Sequence, residues 1–307
     1  MLSIVNPKQI YSYQQMEEDI KKLKYAYPKL VRSKVIGKSV DDRKLYGIAI
    51  GFGETEIFIN GAHHAREWLT TALLMNMLEA YCKAYINESK IGSYFVKDIL
   101  NKIRIWFVPM VNPDGVSLVQ QGEKSAKNPV ELVNLNNGRK DFSAWKANIR
   151  GVDLNRQYPA DWNSIQDNTG KPAPMMYKGP HPLSEPEAEA IYNFTLDHEF
   201  KIAVAYHSSG EEIYWKYNCK GELLVISNRI AQRFSSITGY KLLESGASPG
   251  GGGFTDWFIS DLKKPAFTPE ISPLVGPRPV PLNMYDKIWN DNKEVGLLLA
   301  EEALDLH

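Results

Sequence analysis

Apolar residues recur at helical spacing at Met16, Ile20, Leu23 and Ala26, which predicts a helix from Tyr13 to about Tyr27, ended by Pro28. Strand-like runs follow at Val31–Gly37, Lys44–Ile50 and Glu56–Ile59. From Leu69 to about Ile86, Leu69, Leu73, Met77 and Tyr81 fall on one face, the stripe of a core-facing helix. Ile103–Met110 reads as another strand. Runs this apolar, flanked by helices, predict a parallel or mixed sheet covered on both faces. Between Asn112 and about Pro182 the periodicity fades, and so long an irregular stretch is usually functional or disordered. Ser184-Glu185-Pro186-Glu187 has the form of a capping box, with Ser184 as N-cap, opening a helix to about Asp197. Phe200–Tyr206 is an apolar strand ending at His207, and Leu223 to about Ile237 is a helix stopped by Gly239. Ser248–Gly253 is a glycine-rich flexible loop, Pro265–Ile271 a short strand, and Ile271–Pro281 a Pro-rich loop. A last helix covers about Met284 to Leu304. No repeat or linker interrupts the pattern, so one α/β domain over residues 1–307 is the simplest account.

Composition narrows the partners. The 307 residues are 43% hydrophobic and 23% charged, an ordinary globular balance. Lys+Arg and Asp+Glu both number 36, so the basic excess expected of a nucleic-acid or anionic-membrane binder is absent. Cys82 and Cys219 make no metal-knuckle or redox spacing, so the fold needs no disulfide framework. The N-terminus lacks a basic start before an apolar run, and no apolar stretch reaches membrane-span length. The expectation is a soluble cytoplasmic protein, with a trimmed piece of a longer precursor as the alternative.

Candidate chemistry centres on Gly61-Ala62-His63-His64-Ala65-Arg66-Glu67-Trp68. A turn after a strand puts positions i and i+3 on one side, so His64 and Glu67 can share an ion. Zinc accepts that mixture, needs a third protein ligand and leaves a fourth position to water. His63 has Arg66, not a carboxylate, three residues on, which makes His64 the better ligand. Alone, such a pair is a weak signal, more often a helix N-terminus with a favourable Glu than a metal site. His207 lies at the carboxyl end of a buried-looking strand, where open α/β sheets bind ligands, and reads as a ligand or as a hydrogen-bonded structural histidine. Glu270 sits in an apolar strand, where an unpaired carboxylate is rare. It is either a salt-bridged strand end or a general base for a water that zinc has acidified to a pKa of about 7. Gly151-Val152-Asp153-Leu154-Asn155-Arg156 offers a guanidinium fork and an adjacent amide for a carboxylate, or else a turn with a surface arginine.

Five segments carry a resemblance: Gly-Ala-His-His-Ala-Arg-Glu-Trp (61–68), Val-Asn-Pro-Asp-Gly-Val (111–116), Gly-Val-Asp-Leu-Asn-Arg (151–156), Tyr-His-Ser-Ser-Gly (206–210) and Phe-Thr-Pro-Glu-Ile (267–271). In order and separation they resemble the zinc carboxypeptidases of the carboxypeptidase A type, over nearly the whole chain. The resemblance implies one α/β domain with a mixed, mostly eight-stranded sheet between helices. It implies one zinc ion on His64, Glu67 and His207, Glu270 as base, Asn155 and Arg156 as a clamp on a free substrate carboxylate, and Arg66 lining the cleft further from the cut bond.

Two positions depart from the best-known members. Where many relatives have an arginine that steadies the oxyanion, this chain has Lys146, in Trp145-Lys146-Ala147-Asn148, with Arg150 close by as a substitute. A positioned donor in that role is worth about 3–4 kcal/mol. The family's loop tyrosine falls on Ser248. Thr255 falls where the family's specificity residue sits, which implies a small or polar substrate side chain. The combination resembles the bacterial branch that cuts murein peptides between γ-D-glutamate and a diamino acid such as meso-diaminopimelate, so a small murein peptide is the expected partner. The alternatives are a general metallocarboxypeptidase, an N-acyl amino acid deacylase of the same fold, and an inactive zinc-binding scaffold. Oligomeric state is not legible.

Overall fold

The computed structural model describes residues 3–243 and 251–306. Helix α1 (Tyr13–Ala26) is capped by Ser12, whose hydroxyl accepts from the Gln15 N–H, and it buries Met16, Ile20 and Leu23. Strands β1 (Val31–Lys38), β2 (Lys44–Gly51) and β3 (Thr55–Gly61) lead through a 3-10 turn at Ala65–Glu67 into helix α2 (Leu69–Ile86). A hairpin, β4 (Lys90–Ile91) with β5 (Tyr94–Phe95), precedes α3 (Val96–Lys102) and β6 (Ile103–Val108). Then come α4 (Pro113–Gln121), α5 (Pro129–Leu135), α6 (Pro186–Leu196), β7 (Phe200–Ser208), β8 (Glu212–Tyr214), α7 (Gly221–Thr238) and β9 (Lys241–Leu243). Helix α8 (Phe254–Leu262), β10 (Ala266–Ile271), α9 (Tyr285–Asn292) and α10 (Val295–Leu304) complete the described chain.

Eight strands form one mixed sheet in the order β1-β2-β6-β3-β7-β10-β8-β9. Its centre, β6-β3-β7-β10, is parallel throughout, so the carboxyl ends of these strands share one edge. Alternation along β3 shows how the sheet is filled on both sides. Ile57 and Ile59 join the core built with α2 and α10, and Phe58 joins the core on the other face with Phe194 and Phe254. Helix α2 is buried on far more than the predicted stripe, Leu74, Met75 and Leu78 included. Each such side chain stabilises the fold by about 1.5–3 kcal/mol. No helix among the described residues is long and apolar enough to cross a membrane.

The structure corrects three expectations. The irregular stretch contains α4 and α5; each begins with a proline in its first turn after an asparagine, a start that hydrophobic periodicity does not register. The last helix is two, because the chain breaks step at Lys293–Glu294. Ser184 is not an N-cap: α6 starts at Pro186 after Glu185, and the Ser184 hydroxyl donates to Gln157 Oε1 at 3.1 Å and Glu185 Oε1 at 3.1 Å. Of the predicted Ser248–Gly253 loop, residues 248–250, Ser248 included, lie outside the described residues.

Glu187 consequently serves something other than a capping box. It is fully buried and accepts from Val40 N–H at 3.2 Å and weakly from Asn148 Nδ2 at 3.4 Å, close to the Asp114 carboxylate. Burial, then the charge of Asp114, push its pKa from 4.5 up to about 8. Between those two values the folded chain holds a proton that the unfolded chain has lost, so stability falls as pH rises across that window. Glu187→Gln, neutral at every pH, should flatten this slope. Thermal melts should give equal Tm at pH 4 and a variant more stable by several kcal/mol at pH 9, on the order of 1.4 kcal/mol for each tenfold difference in proton affinity between the folded and unfolded chains. A variant less stable than wild type at pH 9 would contradict this role for the Glu187 proton.

Candidate metal and substrate site

The turn after β3 is built to hold its side chains still. Ala62 takes φ 53°, and Thr70 Oγ1 accepts from Ala62 N–H at 2.9 Å while donating to Glu67 O at 2.8 Å. Asn112 ties three segments together: its N–H donates to Ala62 O, and its Nδ2 donates to His63 O and Ala147 O. The Lys146 loop is stitched to the same turn by Ala65 N–H to Lys146 O at 3.0 Å and Arg66 N–H to Trp145 O at 3.1 Å. The Asn-Pro-Asp-Gly segment thus does structural work at the site.

His64, Glu67 and His207 converge. His64 Nδ1 and His207 Nδ1 stand 2.9 Å apart, and the Glu67 carboxylate lies 2.8 Å from the first and 2.9 Å from the second. All three residues are buried. Two facing imidazole nitrogens share at most one proton, whereas a divalent cation satisfies both nitrogens and the carboxylate together. Two imidazoles and a carboxylate are a donor set that suits zinc. Burial alone would raise the Glu67 pKa, but the two imidazoles hold it well below the carboxylate range, so the group is anionic. His63 is turned elsewhere, its Nε2 2.9 Å from Tyr158 Oη, and burial keeps it neutral.

Glu270 pairs in register with His207 across the parallel β7–β10 ladder, which puts both side chains on one face. Burial, then the negative charge of Glu67, push its pKa up to about 7. Lys146 acts electrostatically on Glu270 and lies 3.7 Å from Asp153 Oδ2. Arg150 points to Glu185, at 3.6 Å, and so stands at a different carboxylate.

Arg156 has its Nε 3.7 Å from Asp153 Oδ2 and its Nη2 3.3 Å from Asp167 Oδ2, and its Nη1 donates to Asp167 O. The Asn155 amide oxygen accepts from Phe254 N–H at 3.0 Å, which anchors the start of α8 and leaves Nδ2 as that residue's donor. Thr255 is buried, its hydroxyl 2.7 Å from Thr268 Oγ1. Arg66 reaches back to Ala144 O at 3.0 Å on the outer side of the loop.

Reading the sequence does not single out Asp153. Its Oδ1 lies 3.2 Å from His64 Nε2, the position of a carboxylate that orients a ligating imidazole. Burial would raise its pKa, but Lys146, His64 and Arg156 hold it well below the usual range. The available signal was its place two and three residues before Asn155 and Arg156.

A mixed sheet thus carries a His–Glu–His cluster able to hold a metal ion at the carboxyl edge of its parallel strands. The zinc carboxypeptidase family profile matches residues 16–292. The chain is 38% identical over 302 residues to gamma-D-glutamyl-L-diamino acid endopeptidase 1 of Lysinibacillus sphaericus, covering 97% of this chain and 73% of that one. Its fold superposes on bovine thrombin-activatable fibrinolysis inhibitor with a TM-score of 0.76 at 19% identity, covering 97% of this chain and 99% of the other. Murein-tripeptide amidase MpaA from Escherichia coli O157 gives a TM-score of 0.52 at 18% identity over 87% of this chain and 91% of its own. The chain belongs to the zinc carboxypeptidase family and is a metallopeptidase.

Proposed function

We propose that this protein hydrolyses the bond between γ-D-glutamate and a diamino acid such as meso-diaminopimelate in small murein-derived peptides, with residues 1–307 acting as one catalytic unit. The convergence of His64, Glu67 and His207 carries the peptidase reading, and in it they hold one zinc ion. The substrate class draws on the Lysinibacillus sphaericus relative and on Lys146 and Thr255.

When bound, zinc polarises the scissile carbonyl and acidifies the attacking water. Glu270 takes that water's proton and returns it to the leaving amine. Lys146, whose charge is felt at Glu270, supplies positive charge for the developing oxyanion. Arg156 and the Asn155 amide grip the free carboxylate of the leaving amino acid, holding the bond in place before reaction. Thr255, paired with Thr268, contributes a polar, uncharged group to the side-chain pocket, and Arg66 lines the outer cleft.

Incubation of the zinc-loaded protein with L-Ala-γ-D-Glu-meso-diaminopimelate should release L-Ala-D-Glu and the free diamino acid, read by mass. Ordinary C-terminal dipeptides and N-acyl amino acids should be cut at least about tenfold more slowly, the size of effect that one well-placed polar contact gives. Faster release from an ordinary dipeptide would favour a general carboxypeptidase instead.

A further inference from the structure

We propose that Asp167 is a specificity-determining residue of this site, receiving the side-chain ammonium of a diamino acid whose carboxylate is held by Arg156. This rests on the substrate reading above. The guanidinium is engaged on two sides: Nε faces the buried Asp153, and the two terminal nitrogens face Asp167 through its carbonyl and its carboxylate. The two ends of that contact differ in setting. The Arg156 side chain is 20% exposed and that of Asp167 is 61% exposed, so the carboxylate forms the open wall of the clamp.

Asp167 is held there by its neighbours. Ile165 is buried against Gly252, where φ is +71° and an added Cβ would stand 2.7 Å from Ile165 Cδ1. On the other side, Asn168 Oδ1 accepts from Lys178 N–H at 3.1 Å. Neither Thr255 nor Asp256, at the start of α8, offers a free acid for an ammonium. Thr255 is neutral and paired with Thr268, while Asp256 is buried and its Oδ2 accepts from Gly251 N–H at 3.1 Å.

A substrate carboxylate that takes the terminal nitrogens of Arg156 displaces Asp167 from them. An exposed ion pair of this kind is weak and yields readily. The displaced carboxylate and the substrate carboxylate then share the single charge of Arg156, already faced by Asp153, and their residual repulsion is relieved by a further cation. A diamino acid brings that cation on its own side chain. A monoamino acid leaves the repulsion in place. Asp167 therefore discriminates against amino acids that lack a second amine, through binding and not through the chemical step.

The test compares γ-D-glutamyl-meso-diaminopimelate with γ-D-glutamyl-L-2-aminopimelate, which keeps both carboxylates and lacks the second amine. Wild type should favour the first by about ten- to a hundredfold in kcat/KM, expressed in KM. In Asp167→Asn the preference should shrink to within about twofold, with kcat on the diamino peptide held. Calorimetric binding of the two free amino acids to zinc-loaded protein reads the same preference without turnover. If neither peptide is cut but wild type binds meso-diaminopimelate more tightly than 2-aminopimelate and Asp167→Asn does not, the substrate reading fails and the role of Asp167 stands. An undiminished preference in the variant, equal losses on both ligands, or no preference in wild type by either measurement overturns it.

Discussion

Glu270→Gln should lower kcat by about ten-thousandfold, the upper range for a lost general base, with bound zinc retained. The amide keeps the shape of the carboxylate but cannot accept the water's proton. Zinc retention is expected because the His64, Glu67 and His207 donors meet one another directly, while Glu270 stands on the neighbouring strand, β10. Metal analysis beside single-turnover kinetics checks both halves. Full activity would remove Glu270 from the mechanism, and zinc loss would make it a ligand. The pH profile has a definite sign. The base works only when deprotonated, so kcat/KM falls as pH drops through its pKa. That pKa is pushed up to about 7 by burial and Glu67, and a divalent cation beside it draws the value lower, so the acid limb should lie below neutrality.

The sequence shows the parts of this site unequally, for physical reasons. Helix α2 spans Leu69–Ile86 as predicted, since it is long, apolar and unbroken by proline. Glu270 stands out because a carboxylate in Ala266–Ile271 contradicts its surroundings. The Ser184 misreading has the opposite cause. A local pattern matched, but Gln157, 27 residues away, had taken the hydroxyl. Asp153 and Asp167 are further along the same scale. Nothing near Asp167 in sequence marks it, because its partner is chosen by the course of the chain between residues 156 and 167. Local rules find residues that violate their own segment, and they miss those whose partners are set by distant packing.

Asp153 shows how much can hang on such a residue. One buried carboxylate stands 3.2 Å from a ring nitrogen of His64 and 3.7 Å from both Lys146 Nζ and Arg156 Nε, so it links the His–Glu–His cluster to the residues proposed to steady the oxyanion and to clamp the substrate carboxylate. It also accepts from the N–H groups of Asn155 and Met176, which sets the loop that carries the clamp. Asp153→Asn keeps the shape and removes the charge. Three losses should appear together: zinc affinity down about 10- to 100-fold by chelator competition, a raised KM for substrates held by their carboxylate, and stability lower by about 3 kcal/mol near neutral pH. The pH dependence separates this from generic damage. The folded pKa of Asp153 is depressed, so its stabilisation is present above the unfolded value of 3.8 and is lost as pH falls through the folded one. Wild type and variant should therefore differ most in Tm near neutrality and converge in acid. Equal zinc affinity and KM in the two proteins would mean that His64 and Arg156 are held in place without Asp153.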